Sequence, residues 1–333
     1  MSFPSFVYRQ RIQRLPYPTG SYTDQTIIIT GSNVGLGKEA ARHFARLNAN
    51  RVILAVRSLE KGQNAKEEIE TSLRAANSNS KTDIQVWQLD MASYTSVEQF
   101  AARVNSELDR VDIFLANAGI ASGKYYVVQG NNSMITVNVV STFLLSAMVL
   151  PKMKETARKF GTRPTLTITT SGVHREAAGL VKRAAEAGEL WPLVNDKETV
   201  EKHFDIQYPA SKLLEIFGVR EISEQSPRDN FPVTINCVNP GFCHSELSRD
   251  HPTWGFWFMK LVLARSTEVG SRNLVAAASM GGDSHGKYVS ECIVEQPSEF
   301  LESQDGKKIQ KMFWKELCGK LEEIRPGVTK NFL

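Results

Sequence analysis

Three polar side chains stand within five positions in the stretch FDIQYPASKLLEIF, namely Tyr208, Ser211 and Lys212. A tyrosine alone is a poor acid–base catalyst near neutral pH because its unperturbed pKa is near ~10. A nearby cation stabilises the phenolate and brings that pKa toward the working range. Residues four apart on a helix share a face, so the spacing predicts Lys212 beside Tyr208. Because proline disfavours a helical conformation in the residue before it, Pro209 predicts a helix that begins near Tyr208 or bends there.

A further hydroxyl candidate lies at the end of the strand-like segment TLTITTSGVH. Ser171 follows that segment directly, where a hydroxyl can polarise a carbonyl oxygen. Thr169 and Thr170 are alternatives at the same strand end, and hydroxyl-rich strand ends are also ordinary turn chemistry. An isolated Tyr-x-x-x-Lys spacing is common by chance. We infer a catalytic group because the strand end, the tyrosine and the lysine follow one another after a glycine-rich segment.

That glycine-rich segment is TIIITGSNVGLGKEAARHF, which runs from an apolar strand through Gly31, Gly35 and Gly37 into a helix. Glycines at such a turn let the backbone approach a pyrophosphate. The free N–H groups and the dipole of the helix N-terminus then stabilise the negative charge. A glycine turn made only for close packing of strand on helix is the alternative, and the strand–turn–helix context favours a dinucleotide site.

The end of the second predicted strand indicates which dinucleotide is bound. About 20 residues after such glycines, a site for NAD usually carries an acid that holds the ribose hydroxyls. In RVILAVRS that place holds Val56, followed by Arg57. A carboxylate would repel a 2′-phosphate, whereas a guanidinium can bind it with two hydrogen bonds. We predict NADP(H), with Arg57 as the main determinant; a solvated arginine at a strand end is the alternative.

Short β-branched segments alternate with helical patterns from Thr26 nearly to the C-terminus. This alternation predicts an α/β fold with a doubly wound parallel sheet, helices on both faces, and ligands beyond the carboxyl ends of the strands. The strand candidates are TIIIT, RVILAV, DIQVWQL, VDIFLAN, TLTITT, FPVTINCVN and the weaker KYVS. The helix candidates span residues 36–47, 59–75, 95–108, 133–153, 211–223 and 267–280.

Two long segments interrupt this alternation on the side where ligands bind. Residues 174–207 follow the fifth strand, and residues 242–265 carry a set of aromatic side chains: Phe242, Trp254, Phe256, Trp257 and Phe258. Long excursions at this edge of a sheet usually shape a substrate site, so they predict a substrate lid over an apolar pocket. Packing of the aromatic residues on the core or on a second copy of the chain is the alternative.

The length of 333 residues, with 41% apolar and 23% charged residues, predicts an ordered protein with a large core. We assign residues 1–333 to a single domain. Within it, residues 1–23 are an N-terminal extension, 24–170 mainly the cofactor half, 171–290 the catalytic and substrate half, and 291–333 a C-terminal extension.

Charge and cysteine usage exclude several classes of function. The 40 basic and 36 acidic residues give a net charge of +4 without a basic cluster, so we expect no nucleic-acid partner. The four cysteines form no Cys-x-x-Cys pair, so we expect no metal site and no disulfide framework. A reducing compartment, the cytoplasm, fits best.

Membrane association could come from a spanning helix or from a segment that rests on the membrane surface. No run approaches the ~20 apolar residues of a spanning helix, so we expect no integral membrane segment. The N-terminal Phe3, Phe6 and Val7, beside three arginines, suit either a membrane surface or packing on the body of the protein. We favour the packing.

The motifs, taken in order, resemble those of the short-chain dehydrogenase/reductase family over roughly residues 24–290. The segments NVGLGKEAARHFARL, VILAVRSLEKG and YPASKLLEIF look most like retinol-dehydrogenase-like members and related reductases of fungal biosynthetic pathways. The resemblance implies a single-domain Rossmann-like fold. It also implies an oxidoreductase whose serine, tyrosine and lysine act together.

The resemblance assigns a role to each matching position. It implies catalytic roles for Asn138, whose backbone would hold a water of the proton relay, for the substrate-orienting Ser171, for the acid–base Tyr208 and for the ribose-binding Lys212. Asp90 matches the acid that contacts adenine, and Ser245 stands where the family usually has a threonine on the nicotinamide carboxamide. The implied cofactor-binding residues are Gly31, Ser32, Asn33, Gly35, Leu36, Gly37, Arg57, Asp90, Met91, Asn117, Ala118, Gly119, Tyr208, Lys212, Pro240, Gly241 and Ser245.

The implied activity is NADP(H)-dependent hydride transfer, in the reductive direction, to a hydrophobic ketone or aldehyde, with a secondary alcohol as the reverse substrate. Secondary metabolite biosynthesis is the expected setting, and a second copy of the chain is a further candidate partner. Two other classes stay open. One is an NADP(H)-sensing regulator or scaffold without chemistry, and the other is a membrane-peripheral dehydrogenase of retinol-like or lipid-like alcohols.

Overall fold

A computed structural model describes residues 3–78, 80–244 and 260–333, and its centre is an eight-stranded sheet. The strands are Thr26–Thr30 (β1), Arg51–Val56 (β2), Asp83–Gln88 (β3), Ile113–Ala116 (β4), Val127–Val128 (β5), Asn131–Asn132 (β6), Thr165–Thr169 (β7), Thr234–Asn239 (β8), Tyr288–Ser290 (β9) and Ile293–Glu295 (β10). Their order in the sheet is β10-β9-β8-β7-β4-β1-β2-β3, while β5 and β6 form a separate hairpin. All pairs in the large sheet are parallel except β9 with β10. The strand order reverses between β1 and β4, which creates the crevice where doubly wound sheets bind ligands.

Helices connect the strands and flank the sheet. They are Phe3–Arg11 (α1), Gly35–Arg46 (α2), Leu59–Ala75 (α3), Tyr94–Glu107 (α4), Ser141–Phe160 (α5), Ala178–Ala187 (α6), Trp191–Asn195 (α7), Lys197–Lys202 (α8), Phe204–Gln225 (α9), Thr267–Ser279 (α10) and Gln304–Ile324 (α11). A π-helical stretch, Ile135–Val140, leads directly into α5, and a 3-10 helix, Gly172–Ala177, leads into α6.

Alternate residues of the central strands pack on opposite faces of the sheet. In β1, Ile28 belongs to one core cluster, together with Phe114 and Phe217, whereas Ile27 and Ile29 belong to the other. Because side chains alternate along a strand, only a sheet covered on both faces can bury such a continuous apolar run. The predicted doubly wound α/β fold with helices on both faces is confirmed.

Within the described ranges 3–78, 80–244 and 260–333, one helical stretch, Ile135–Phe160, is long and apolar enough to cross a membrane by length and composition. No such stretch is expected from the sequence. However, 89% of its most apolar window is buried inside the protein, where it packs against α4, α9 and the C-terminal 3-10 helix Val328–Phe332. This stretch is therefore a helix of the protein core.

Two helices differ from their predicted bounds. The helix that carries Tyr208 begins at Phe204 rather than near the tyrosine, and it continues through Pro209. This is tolerated because Pro209 lies early in the helix, where its missing N–H removes only the bond to the carbonyl of Asp205. The helix predicted to end at residue 153 extends through Pro151 to Phe160, where Gly161, with φ of 63°, provides a left-handed cap.

Candidate active site

The glycine loop after β1 lies at the reversal point of the sheet. Gly31 has φ of 66°, and a Cβ on it would lie 2.9 Å from the Cα of Ala118. A Cβ on Gly37 would lie 2.6 Å from Nδ2 of Asn117. The residue before α2, Val34, provides no side-chain cap, so the first N–H groups of this helix are available to an anion. This cradle fits the pyrophosphate of a dinucleotide.

Thr30 joins the glycine loop to the turn after β4, and the sequence analysis did not identify it. Its Oγ1 accepts hydrogen bonds from the main-chain N–H groups of Asn117 at 3.0 Å and Ala118 at 2.9 Å. Asn117 returns a bond from Nδ2 to the carbonyl of Thr30 at 3.0 Å. A strand-end threonine directly before the first glycine was the only available signal.

The other predicted residues of the cofactor half take separate positions. Ser32 is fully buried and its hydroxyl donates to the carbonyl of Ile29 at 2.8 Å, so the hydroxyl stabilises the turn. Oδ1 of Asp90 accepts a hydrogen bond from the N–H of Ala92 at 2.9 Å. Asp90 lies just after the end of β3 and is partly exposed. Arg57 is exposed at the end of β2, and its side chain makes no hydrogen bond or ion pair with the rest of the described chain.

Four more predicted residues line or support the same loops. Asn33 is partly exposed, Leu36 packs partly buried against the core cluster of its face, and Met91 is buried. Gly119 faces the catalytic half, since a Cβ on it would lie 3.3 Å from Oδ1 of Asn138 and 3.5 Å from Nζ of Lys212. The turn after β4 therefore contacts both halves of the site.

Tyr208 and Lys212 share one face of α9. Nζ of Lys212 lies 5.7 Å from the centroid of the Tyr208 ring. The same ammonium donates to the carbonyl of Thr169 at 3.0 Å and to Oε1 of Glu215 at 2.7 Å. Lys212 is thus held at the carboxyl end of β7, while Tyr208 is partly exposed.

The pKa of Tyr208 differs from the sequence expectation. Burial raises this pKa above its ordinary value, and Lys212 lowers it, as expected from its charge. Glu215 raises the pKa again, and a hydrogen-bonding interaction with Ser171 lowers it. The net shift of the Tyr208 pKa is upward, because burial and the Glu215 carboxylate outweigh Lys212 and Ser171. Neither burial nor Glu215 entered the sequence-based expectation.

Asn138 connects the turn after β4 to α9. Its Nδ2 donates to the carbonyl of Ile120 at 2.9 Å and to Oγ of Ser211 at 3.0 Å, and its Oδ1 accepts from the N–H of Ile120 at 2.8 Å. Ser211 in turn donates to the carbonyl of Tyr208 at 2.8 Å. Ser211 therefore braces the start of the tyrosine helix.

Ser171 lies directly after β7 and caps the 3-10 helix that follows, accepting from the N–H of Val173 at 3.4 Å. His174, which the sequence analysis passed over, supports it from behind. Nδ1 of His174 lies 2.7 Å from the carbonyl of Ser171, and Nε2 accepts from the N–H of Ser298 at 3.1 Å. Because Nε2 is an acceptor, the ring is neutral with its proton on Nδ1. Burial lowers the pKa of His174 to about 4.

The turn after β8 completes the described part of the site. Gly241 has φ of 83°, and its N–H donates to Oδ1 of Asn239 at 3.1 Å. The carbonyl of Pro240 accepts from Nδ2 of Asn273 at 3.2 Å. Ser245 lies outside the described residues, as do the predicted lid residues Trp254, Phe256, Trp257 and Phe258.

The N-terminal helix α1 packs behind that turn. A Cβ on Gly241 would lie 3.0 Å from Nη1 of Arg265 and 3.3 Å from Nε2 of Gln10. Arg265 donates to the carbonyl of Arg9 and forms a buried ion pair with Glu291. The part of α1 that faces the body is therefore engaged in polar contacts there.

A doubly wound sheet with a glycine cradle at its reversal point defines the dinucleotide-binding class of α/β proteins. A family model for short chain dehydrogenases matches residues 25–162 of this chain. The chain is 59% identical over 327 residues to the short chain dehydrogenase/reductase dmxR8 of Cryptosporiopsis sp. (strain 8999), with 98% of this chain and 99% of that one covered. It is 38% identical over 337 residues to the short-chain dehydrogenase anuD of Penicillium roqueforti (strain FM164), with 98% and 85% covered.

Among solved structures, an uncharacterized protein of Mycobacterium Paratuberculosis matches with a TM-score of 0.61 and 22% identity, covering 90% of this chain and 95% of that one. At this identity the match supports the fold alone. The two fungal relatives decide the family. The chain belongs to the short-chain dehydrogenase/reductase family of oxidoreductases, which use a nicotinamide cofactor, and the resemblance seen in its motifs is confirmed.

Proposed function

We propose that this protein is an NADP(H)-dependent reductase that transfers a hydride between the nicotinamide and the carbonyl carbon of a hydrophobic ketone or aldehyde. The reverse substrate is a secondary alcohol. The observation that carries this proposal is the position of Lys212, whose Nζ lies 5.7 Å from the Tyr208 ring centroid and 3.0 Å from the carbonyl that ends β7. A cation beside a tyrosine at this edge of the sheet suits acid–base catalysis next to a dinucleotide.

In the proposed mechanism, the hydroxyls of Ser171 and Tyr208 bind and polarise the carbonyl oxygen of the substrate. The bound nicotinamide supplies the hydride. Tyr208 donates its proton to the oxygen, and Lys212 stabilises the phenolate that remains. The side chain of Asn138 is already bonded to Ile120 and Ser211, so its contribution to proton resupply comes through its main-chain carbonyl.

The preference for NADP(H) rests on Arg57. It is exposed at the end of β2, and its guanidinium is free of contacts with other described side chains, which supports binding of a 2′-phosphate. We expect Arg57→Ala to raise the KM for NADPH by about tenfold or more and to leave the KM for NADH nearly unchanged. Arg51→Ala is the matched control, since Arg51 lies at the opposite end of β2 and pairs with Asp83. An unchanged preference in Arg57→Ala would reject the assignment.

The substrate site is proposed to lie between the segment 174–207 and residues 117–132, which follow β4. The two contact each other where the Tyr125 hydroxyl donates to the carbonyl of Asn195 at 3.0 Å and Nε1 of Trp191 donates to Oδ1 of Asn131 at 3.1 Å. Apolar side chains of the segment 174–207, such as the partly buried Ile206, support a hydrophobic substrate. Together with residues 242–265, this segment is proposed to form the substrate lid.

The wider setting is part of the same proposal. We propose one Rossmann-fold domain over residues 1–333, in which residues 24–170 mainly bind the cofactor and residues 171–290 supply the catalytic and substrate half. The fungal relatives support a role in secondary metabolism. A cytoplasmic location is proposed from the cysteine usage alone. Its partners are then a small carbonyl compound and a second copy of the chain.

NADPH consumption against a panel of ketones and aldehydes, with product analysis, tests the function. We expect turnover by the wild type and a loss of at least about a thousandfold in Tyr208→Phe, with NADPH binding nearly intact. Substantial turnover in Tyr208→Phe would reject Tyr208 as the acid–base residue. NADPH binding by the wild type without turnover of any panel member would favour the cofactor-sensing alternative.

A further inference from the structure

A buried carboxylate contacts the catalytic lysine. Glu215 lies one turn after Lys212 on α9, its side chain is 2% exposed, and its Oε1 is 2.7 Å from Nζ. Lys212 is itself 5% exposed, and its other described partner is the carbonyl of Thr169 at 3.0 Å. The ammonium is therefore held between a main-chain carbonyl and a carboxylate.

Burying this ion pair removes two charged groups from water, which is unfavourable for a purely structural contact. Oε2 of Glu215 is buried and has no hydrogen-bond partner among the described residues. Burying a carboxylate with one oxygen unsatisfied destabilises the folded state unless its ion-pair partner compensates. Burial raises the pKa of Glu215 to about 7, while Lys212 lowers it. The carboxylate is thus able to change its charge near neutral pH.

The other groups around Glu215 leave Lys212 and Tyr208 as its principal electrostatic partners. Both lie on α9, and from β8 the thiol of Cys237 faces the carboxylate, with a pKa that burial raises far above neutral. The side chain of Thr170 approaches from the end of β7, and its hydroxyl donates to the carbonyl of Lys212 at 2.8 Å. Arg220, further along α9, pairs with Glu302 at 2.6 Å.

We propose that Glu215 is a positioning residue for the proposed reaction, which holds the Lys212 ammonium and whose charge determines the pH at which the Tyr208–Lys212 pair loses its protons. The proposal rests on the proposed function of Tyr208 and Lys212. An ionised Glu215 opposes formation of the phenolate and so keeps Tyr208 in the protonated form that a reductase needs. A neutral residue at this position removes that opposition.

The consequence has a definite sign. Removing one negative charge from the cluster makes every proton there easier to lose, so the pair should deprotonate at lower pH. Oxidation of an alcohol needs the phenolate, and its rate should therefore begin to rise at lower pH. Reduction needs the protonated phenol, and its decline at high pH should also begin earlier.

The experiment compares full-length wild type with Glu215→Gln, which keeps the size and an acceptor oxygen but removes the charge. Acetophenone and 1-phenylethanol serve as the probe couple, and kcat/KM is measured in both directions from about pH 6 to pH 10. Glu215→Asp is the conservative rescue. Glu221→Gln is the matched control, because Glu221 is buried on the same helix and bonds to Gln310 instead of Lys212.

A second measurement is independent of turnover. The phenolate absorbance of Tyr208 is titrated as the difference between each protein and the same protein carrying Tyr208→Phe. We expect both the rate profiles and this titration to move about one pH unit lower in Glu215→Gln, and to stay in place in Glu221→Gln. Glu215→Asp should lie close to the wild type.

The outcomes separate the two proposals. A wild type that does not reduce or oxidise the probe couple counts against the proposed function, while the absorbance titration still tests Glu215. Superimposable titrations of wild type and Glu215→Gln would overturn the inference even if the variant is less active. If Glu215→Gln does not fold, the neutral variant Glu215→Met replaces it in the titration. A shift to lower pH is expected there too, and a titration superimposable on that of the wild type would overturn the inference.

Discussion

Replacing Glu291 by glutamine should cost about 3–5 kcal/mol of the free energy of unfolding, because it removes one partner of a buried ion pair. Arg265 and Glu291 have side chains that are 3% and 2% exposed. Nη1 donates to Oε1 at 3.0 Å and Nη2 to Oε2 at 2.5 Å. In the variant, the guanidinium stays buried beside a neutral amide that offers a single acceptor oxygen. The carbonyl of Arg9, its remaining described partner, does not neutralise the charge.

Urea denaturation followed by tryptophan fluorescence measures this loss. Glu107→Gln is the control, because Glu107 forms an exposed pair with Arg103, with side chains 54% and 44% exposed. Such a pair is worth about 0.5 kcal/mol or less. A loss below about 1 kcal/mol in Glu291→Gln would refute the argument that only Glu291 neutralises the buried Arg265 guanidinium.

The double variant Arg265→Met, Glu291→Leu separates charge from packing. With both charges removed, no buried guanidinium is left uncompensated, so the double variant should be more stable than Glu291→Gln. Both variants should raise the KM for NADPH, since Nη1 of Arg265 supports the turn at Gly241. If the double variant is the less stable, the pair contributes mainly through its hydrogen bonds.

Two further predictions concern the glycine loop and the support of Ser171. Gly31→Ala should abolish NADPH binding, because the added Cβ would lie 2.9 Å from the Cα of Ala118. Gly161→Ala is the control in the same coenzyme titration. Gly161 has a similar φ of 63°, and no atom lies within 4 Å of its added Cβ. His174 should make stability depend on pH, because its pKa of about 4 in the folded protein lies below the ~6.5 of an unfolded histidine. The unfolded state therefore binds a proton first on acidification, and up to about 3 kcal/mol should be lost as the pH falls from about 6.5 to 4. In His174→Gln, the urea midpoint should change less with pH over this range. A midpoint that depends on pH as steeply as in the wild type would contradict the assignment.

The sequence could predict the elements whose signals are local. The strand β1 is a run of isoleucines that ends at a glycine turn, and α3 has a serine cap and no internal proline, so both have their predicted bounds. The start of α9 was predicted too late, because the effect of Pro209 on a helix depends on how early in the helix it lies. The segment 174–207 contains helices α6 to α8, and α7 and α8, with five and six residues, are too short to give a periodic signal.

Contacts distant in sequence could not be predicted. His174 is held by Ser298, which lies 124 positions later, and nothing in a lone histidine indicates that partner. Glu215 was visible three residues after Lys212, but a Lys–Glu pair at that spacing is usually a solvated one on a helix surface. Its burial depends on β7 and β8, which cover that face of α9. The pKa of Tyr208 was predicted in the wrong direction for the same reason.

The N-terminal helix shows why the site depends on segments outside its motifs. Nη1 of Arg9 donates to both carboxylate oxygens of Glu295, at 2.7 and 2.8 Å. The Gln10 amide lies against the main-chain carbonyl and N–H of Phe242 at 3.1 and 3.3 Å. Moving α1 away would break these contacts and expose the Arg265–Glu291 pair behind Gly241. If α1 also rests on a membrane, it must do so with its outer face, where Tyr8 is 55% exposed, while its inner face stays on the protein. The same helix would then support the turn at Gly241 whether or not lipid is present.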